Sequence, residues 1–484
     1  MNKMSNFLRF QINEKNLYIY DNDSGLIFNI DESLLNIISG ERKSESLERD
    51  IFHDYNMQYY DSFLKKYDNT CKSISYKGKK KLTIEDIKNH IENFGMKQLI
   101  FEITEQCNLR CKYCIYSDKY PYHRNYSKKI MTFEIAKKAI DLYMYYFIKV
   151  FQYNPKKRPT FTFYGGEPLL EFKLITKIVE YVIKKYNFYD PMFNITTNGT
   201  LLSSEVIRYI AKVKDFYVSI SLDGPKEEHD RNRVFSENKG SFDQIFNNLM
   251  KIRELYPTLW KNLNLLACYD FGTNIYKAEE FFENVDLPSL IRVSMVEPLF
   301  SSYYKRFSLQ EKNNFIKTYF CKKKQYIENI KSGEKTSRYS DLLFGTSLFS
   351  LYNRFKFYCN NTFFTSFTGT CIPGDKIYVD TEGRIHICEK INSHFSIGNI
   401  YSGLDLNKIL RLMKKYDEEI LTKCGNCPIS RVCGGCYATF ATKRLFERPE
   451  VFCESRIKST TEDLKDLTEI LIHNPTYFRN KYQK

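Results

Sequence analysis

The chain has 484 residues, 43% hydrophobic and 27% charged, with 38 Tyr, 38 Phe and a formal net charge of +15. Such a length exceeds one ordinary hydrophobic core, so two or three domains are expected, and the composition excludes long disordered stretches. The first residues lack the apolar core of a secretion signal, and the apolar stretch 135–151 is broken by Lys137, Lys138, Asp141 and Lys149; no membrane and a cytoplasmic location are expected.

Fourteen cysteines in a chain of this kind point to metal or redox-active thiols rather than disulfides. The positive charge lies in short scattered runs such as Lys79-Lys80-Lys81 and Lys322-Lys323-Lys324. That scatter argues against a nucleic-acid groove and makes an acidic peptide segment the better polyanion.

Taken in chain order, residues 7–60 open with Leu17-Tyr18-Ile19-Tyr20, the turn Asp21-Asn22-Asp23-Ser24-Gly25, and Leu26-Ile27-Phe28-Asn29-Ile30. This pattern predicts a small hairpin or meander, followed by helices near 32–38 and 47–53. Past a lysine-rich connector at 77–81, strands are predicted at 99–103, 160–163, 193–196, 217–222, 263–267 and 292–296, with amphipathic helices between them, including 133–151 and 174–186. Regular alternation of this kind predicts a parallel sheet whose sites lie at the C-terminal ends of the strands.

Cys107, Cys111 and Cys114 follow the first of those strands. In isolation the spacing suits buried thiols on one helical face, or zinc; the preceding strand places it in a loop instead. Three thiolates from one loop leave one iron of a 4Fe-4S cube without a protein ligand. At later strand ends stand Gly165-Gly166-Glu167, Thr197-Asn198-Gly199, then Ser219, Ser221 and Asp223, with His229-Asp230-Arg231-Asn232-Arg233 just beyond. Each alone reads as a turn or a surface segment.

A second array comprises Cys371, Cys388, Cys424, Cys427, Cys433, Cys436 and Cys453. The two Cys-x2-Cys pairs would satisfy one zinc but leave three thiols unexplained; seven thiolates suit two further 4Fe-4S clusters better.

The Cys-x3-Cys-x2-Cys loop, with Tyr113 before its last cysteine, resembles the radical S-adenosylmethionine (SAM) superfamily. The C-terminal array resembles the SPASM domain of peptide-modifying members, although Cys433-Gly434-Gly435-Cys436 is one residue shorter than the usual pattern. Together the resemblances cover roughly residues 95–460. They imply an α/β fold: a partial (β/α)6 TIM-like radical SAM barrel, with a small N-terminal α+β (winged-helix-like) module and a C-terminal Cys-rich SPASM domain. The expected divisions are a leader-peptide recognition-like module at 1–90, the barrel at 91–300, a helical bridge at 301–360 and the auxiliary-cluster domain at 361–484.

The same resemblance implies the cofactors and their residues. Cys107, Cys111 and Cys114 would hold the cluster that chelates SAM, with Gly165, Gly166 and Glu167 at the methionine amino group. Thr197, Asn198, Ser219, Ser221 and Asp223 match ribose-contacting positions, and Arg233 matches the arginine that grips the SAM carboxylate. Cys371, Cys388 and Cys436 would hold one auxiliary cluster, with Cys359 as fourth ligand or the site open to a substrate thiolate. Cys424, Cys427, Cys433 and Cys453 would hold the other, making three 4Fe-4S clusters in all. Glu389 stands where sulfatase maturases carry their catalytic base. Cys71, Cys268 and Cys321 read as structural thiols.

The function implied is a radical SAM peptide maturase acting on a ribosomally made precursor peptide with a leader segment, most plausibly closing a thioether. A low-potential flavodoxin- or ferredoxin-type donor would feed it electrons. The alternatives are an anaerobic sulfatase-maturing enzyme that makes formylglycine, and a non-enzymatic iron-sulfur electron carrier.

Overall fold

The computed structural model describes residues 7–13, 16–22, 25–30, 82–354 and 371–482. The helices expected near 32–38 and 47–53, together with Cys71 and Cys359, lie outside the described residues. The described strands form a three-stranded sheet, β1-β2-β3, and a ten-stranded sheet of order β13-β12-β11-β10-β4-β5-β6-β7-β8-β9.

The centre of the large sheet is a run of six parallel strands: β4 (Gln98–Thr104), β5 (Thr160–Gly165), β6 (Met192–Thr197), β7 (Phe216–Ser221), β8 (Leu263–Tyr269) and β9 (Ser289–Met295). All six coincide with sequence-predicted strands. Their helix-facing residues are apolar, because crossover helices cover that face. Phe161, Phe193 and Phe216 stack along it at centroid distances of 5.9 Å for each neighbouring pair. The other face is the barrel lumen, where polar side chains alternate in; on β7 buried Phe216, Val218 and Ile220 interleave with half-buried Tyr217, Ser219 and Ser221.

Helix Phe133–Tyr153 shows why the crossovers form where they do. Thr132 caps its start by accepting from the Ile135 amide, and Ala136, Ala139, Ile140, Tyr143, Met144, Phe147 and Val150 make one buried stripe at helical spacing. Helix Phe172–Tyr186 repeats the pattern after β5 with Ile175, Ile178, Val179 and Val182.

The strand β9 begins earlier than the sequence pattern suggests and carries a bulge. Leu265 pairs with Leu290, but Leu266 pairs with Arg292, so Ile291 is extra. A bulge re-aims the residues beyond it. Arg292 and Ser294 thereby come into line with Leu266 and Cys268.

Beyond β4 the sheet continues into the C-terminal part of the chain. There β10 (Lys376–Val379) runs parallel to β4 in the register Lys376 to Gln98 and Val379 to Phe101, followed by antiparallel β11 (Arg384–His386), β12 (Gly398–Asn399) and β13 (Gly403–Leu404). Gly383 turns the β10-β11 hairpin at φ +80°, a conformation that disfavours side chains with a Cβ. Over the stretch expected to be helical, helix Leu309–Ser332 lies beside helix Glu450–His473, with Lys323 bonded to Asp463 and Asp466 at 2.6 Å each.

The N-terminal strands β1 (Phe7–Asn13), β2 (Asn16–Asp21) and β3 (Leu26–Ile30) form the expected meander. Leu8, Phe10 and Tyr20 join the main core while Leu17, Ile19 and Ile30 form a small cluster of their own, and Asn22 donates to Ser430 Oγ at 2.9 Å. Helix Ile84–Asn93 runs through the boundary expected at residue 90 and packs Ile87 and Ile91 into the same core.

Candidate functional site

The cysteine loop is held from both sides. The Arg110 amide donates to Val234 O at 2.7 Å and the Lys112 amide to Asn232 O at 2.9 Å, while the Cys114 amide closes a turn onto Cys111 O at 3.0 Å. The segment is therefore a loop and not a helical face. The Leu109 amide points at Cys107 Sγ from 3.4 Å and Asn198 Nδ2 from 3.9 Å; Arg233 Nη1 lies 3.9 Å from Cys111 Sγ, and Tyr126 bonds Cys114. Such donors suit sulfur that carries negative charge. Burial pushes the Cys107 thiol up to about 12, and the neighbouring Glu167 charge adds to this; burial raises Cys111 and Cys114 as well.

These thiols lie within electrostatic reach of one another. Among the described residues no three Cys, His, Asp or Glu side chains converge as they would on a single ion. Three thiols with N–H donors aimed at their sulfurs suit, as a donor set, a 4Fe-4S cube with one iron left for another ligand.

The two glycines at the end of β5 have a steric purpose besides approach to a ligand. A Cβ on Gly165 would meet Thr104 O at 2.3 Å, and one on Gly166 would meet Gln106 O at 2.0 Å. The Gly166 amide donates to Thr104 O at 2.7 Å and the Glu167 amide to Gln106 O at 2.8 Å. The pair thus seats the root of the cysteine loop against β5.

The fully buried Glu167 carboxylate is engaged as well. It accepts from Thr197 Oγ1 at 2.7 Å, the Asn198 amide at 2.7 Å and the Leu169 amide at 3.0 Å. Burial raises Glu167 to about 7 although these hydrogen bonds pull it down. The carboxylate expected at an ammonium group also ties the end of β5 to the end of β6. From there Asn198 donates to Asn108 Oδ1 at 2.9 Å and so reaches the cysteine loop.

Asp223 and Arg233, assigned separate contacts by sequence, meet each other. Arg233 Nε donates to Asp223 Oδ2 at 3.1 Å, Tyr113 Oη donates to the same oxygen, and Asp223 Oδ1 accepts from the Cys268 amide at 3.0 Å. Behind them His229 is fully buried; its Nδ1 accepts from the Asp223 amide at 3.3 Å, which leaves the proton on Nε2, facing Ser241 Oγ at 3.0 Å. Arg231, read as a surface residue, is instead bonded to Asp270 at 2.7 Å. Ser219 and Ser221 face the lumen beside this cluster.

Several lumen residues escaped the sequence reading. Cys268, read as a structural thiol, lies at the C-terminal end of β8 within reach of Asp223, Arg233 and Arg292, and burial raises its thiol to about 11. Tyr164 sits among Glu389, Cys114 and Arg292. Arg124 pairs with the fully buried Glu102 at 3.2 Å and lies 4.3 Å over the Tyr378 ring. Strand alternation signals the lumen positions; no local pattern signals the pairing of residue 102 with residue 124.

The C-terminal thiols separate into two groups. Cys424, Cys427, Cys433 and Cys453 are mutually within electrostatic reach around Arg448, whereas Cys371 neighbours Cys436 and shares Lys376 with Cys388. Cys321 is exposed and stands apart. Glu389, expected as a base, is half-buried and bonded to Lys376 Nζ at 3.0 Å. Burial alone would raise it, but the Lys376 charge and further hydrogen bonds hold it below the ordinary carboxylate range.

Residues 101–267, the stretch that carries the cysteine loop and the strand-end residues, match the family model described as Radical SAM superfamily. Those residues form a radical SAM domain, and the chain that carries it is an enzyme. An uncharacterized protein of Methanocaldococcus jannaschii is 29% identical to it over 317 residues, covering 65% of this chain and 91% of that protein. The cysteine-type anaerobic sulfatase-maturating enzyme of Clostridium novyi is 31% identical over 210 residues, covering 42% of this chain and 52% of its own length. In fold, the chain is similar to native anSMEcpe solved with bound AdoMet and Cp18Cys peptide, with a TM-score of 0.54 at 20% identity over 80% of this chain and 99% of that one. No helix among the described residues is long and apolar enough to cross a membrane.

Proposed function

We propose that this radical SAM enzyme is a maturase of a ribosomally made precursor peptide, working in the cytoplasm. Cys107, Cys111 and Cys114 would hold the 4Fe-4S cluster. With SAM on its open iron, that centre supplies a 5'-deoxyadenosyl radical able to abstract hydrogen from a peptide residue. The chain's own part is to orient and exclude: Asn198, Tyr113 and the Asp223–Arg233 pair line the thiols, and Ser219 and Ser221 face the space a nucleoside would enter.

The observation that carries the reading is the separation of seven further thiols into two groups in the C-terminal part of the chain, whose strand β10 extends the barrel sheet. We assign Cys371, Cys388 and Cys436, with Cys359 or a substrate thiolate, to one auxiliary 4Fe-4S cluster. Cys424, Cys427, Cys433 and Cys453 would hold the other, in a SPASM domain spanning 361–484 behind a helical bridge at 301–360. Closing a thioether removes a hydrogen atom, a second electron and a thiol proton. An auxiliary cluster would take the electron, and Glu389, bonded to Lys376, would accept the proton.

The meander β1-β3 supports a leader-binding role for the module assigned to 1–90, a small α+β (winged-helix-like) unit that would raise the local concentration of the core peptide. Anaerobic co-expression with the precursor encoded nearby, followed by mass spectrometry, tests the function: a product lighter by two hydrogens with a blocked cysteine is expected. The likeness to a sulfatase-maturating enzyme favours a second reading, formylglycine formation. Conversion of a sulfatase peptide at full rate by a variant lacking residues 1–90 would replace the first reading with that one.

A further inference from the structure

Strand β9 is the outermost strand on its side of the large sheet, and its bulge decides which of its side chains faces the lumen. On β8, buried Leu263, Leu265 and Ala267 face the helices, and half-buried Asn264, Leu266 and Cys268 alternate with them on the lumen side. With Leu290 beside Leu265, an unbroken register would set Ile291 beside Leu266. The extra residue gives that lumen position to Arg292 and sets Ser294 beside Cys268. A cation thereby takes the place of an isoleucine.

The charges already described around the lumen have partners. Glu102 is held by Arg124 at 3.2 Å, Asp223 by Arg233 at 3.1 Å and Glu389 by Lys376 at 3.0 Å. Arg292 is exposed and differs from them: its Nε donates to Ser294 Oγ at 3.0 Å, and among the described residues no carboxylate lies within ion-pair distance of it. The bond to Ser294 occupies Nε and leaves both terminal nitrogens, a pair that can grip a carboxylate side by side, without a protein partner.

The neighbours of this cation give it a use. Tyr164 on β5 lies within electrostatic reach of both Arg292 and Glu389, and Cys268 within reach of Arg292 and of the Asp223–Arg233 pair. Arg292 therefore shares neighbours with the residues assigned to SAM and with the residue assigned to take up a proton. An anion on its terminal nitrogens is held beside the place of reaction. We propose that Arg292 is a specificity residue that binds a carboxylate of the substrate peptide, an Asp or Glu side chain or the chain end, and so sets which neighbouring residue meets the radical. The inference rests on the peptide reading and names a feature that its substrate must carry. Such an anchor matters because a misplacement of about 1 Å at the reacting atoms can cost about a hundredfold in rate.

The test uses the anaerobically reconstituted holoenzyme with SAM and equilibrium dialysis of three peptides. These are acetyl-Gly-Glu-Cys-Glu-Gly-amide, its counterpart with Gln in place of both Glu, and that Gln peptide with a free C-terminal carboxylate. Wild type should hold a carboxylate peptide about tenfold more tightly than the neutral one. Preference for the Glu peptide identifies a side-chain carboxylate, and preference for the free end a terminal one. Arg292→Gln should erase the preference and Arg292→Lys should keep part of it, with SAM affinity and Tm the same in all three proteins. Equal binding of the three peptides by wild type overturns the proposal, and so does a preference that survives in Arg292→Gln. A parallel loss of SAM affinity overturns it too, by making Arg292 a SAM ligand. Glutarate supplies the arm without a peptide backbone. If wild type binds glutarate but no peptide, and Arg292→Gln loses the glutarate, the carboxylate site stands and the peptide reading falls; if wild type binds neither, the proposal itself fails.

Discussion

Asp223 Oδ2 and Arg233 Nε stand 3.1 Å apart in a buried ion pair, with the guanidinium 5.4 Å over the Tyr113 ring. Neither charge can turn to water if its partner is lost, so Asp223→Asn should cost about 3–5 kcal/mol of stability. The shift appears as a lowered Tm. Arg233→Lys keeps the charge but loses the planar fork, and should weaken SAM binding in equilibrium dialysis more than it lowers Tm. Equal effects on both readouts would reduce the pair to a structural one.

Replacing Cys111 should remove the first cluster without unfolding the barrel, because the loop is fastened by backbone bonds from Arg110 and Lys112. Cys111→Ala is expected to produce no 5'-deoxyadenosine from SAM under strong reductant. Persistent product in that variant would refute the ligand assignment.

At Gly166 the obstacle to a Cβ is a backbone oxygen, Gln106 O, which cannot rotate aside. Gly166→Ala should therefore cost about 1–3 kcal/mol, the usual range for overpacking, and displace the root of the cysteine loop. Reconstituted protein should show altered cluster absorbance and EPR while far-ultraviolet circular dichroism stays native.

The two groups of C-terminal thiols make separate claims. Cys453→Ala should lower the iron content by about four per chain, and so should Cys436→Ala; the double variant should lose about eight. Iron and sulfide analysis after anaerobic reconstitution measures this. Loss of a single zinc instead would identify a mononuclear site.

His229 gives the protein a definite pH response. Burial lowers it from 6.5 to about 3 in the fold, so between those values only the unfolded chain takes up the proton. Stability then falls as pH drops below 6.5, by up to about 1.4 kcal/mol per pH unit for this group, and is unaffected by it above 6.5. Thermal melts from pH 7.5 to 5.5 should show the decline, and His229→Gln should flatten it.

The strands and the cysteine loop were legible because both are local signals: apolar runs at regular spacing, and three thiols just past one of them. The strand-end residues were also found, but their partners were not. Sequence singled out Glu167 but not the three donors from its own and the neighbouring strand end that hold it. It left Asp223 and Arg233 apart because nothing along the chain says that a ten-residue excursion returns. Arg292 depends on a single extra residue in β9, and a bulge has no reliable mark in an apolar strand. The roles of Gly165 and Gly166 needed the third dimension too, since the atoms they avoid belong to residues 104 and 106.

The parallel pairing of β10 with β4 has a bearing on electron flow. The hairpin leading to Cys388 is laced to the strand that leads into the cysteine loop, with no hinge between them. Tunnelling rates decay exponentially with separation, so a spacing fixed by a backbone ladder would hold electron transfer constant between the clusters proposed at Cys107–Cys114 and at Cys388.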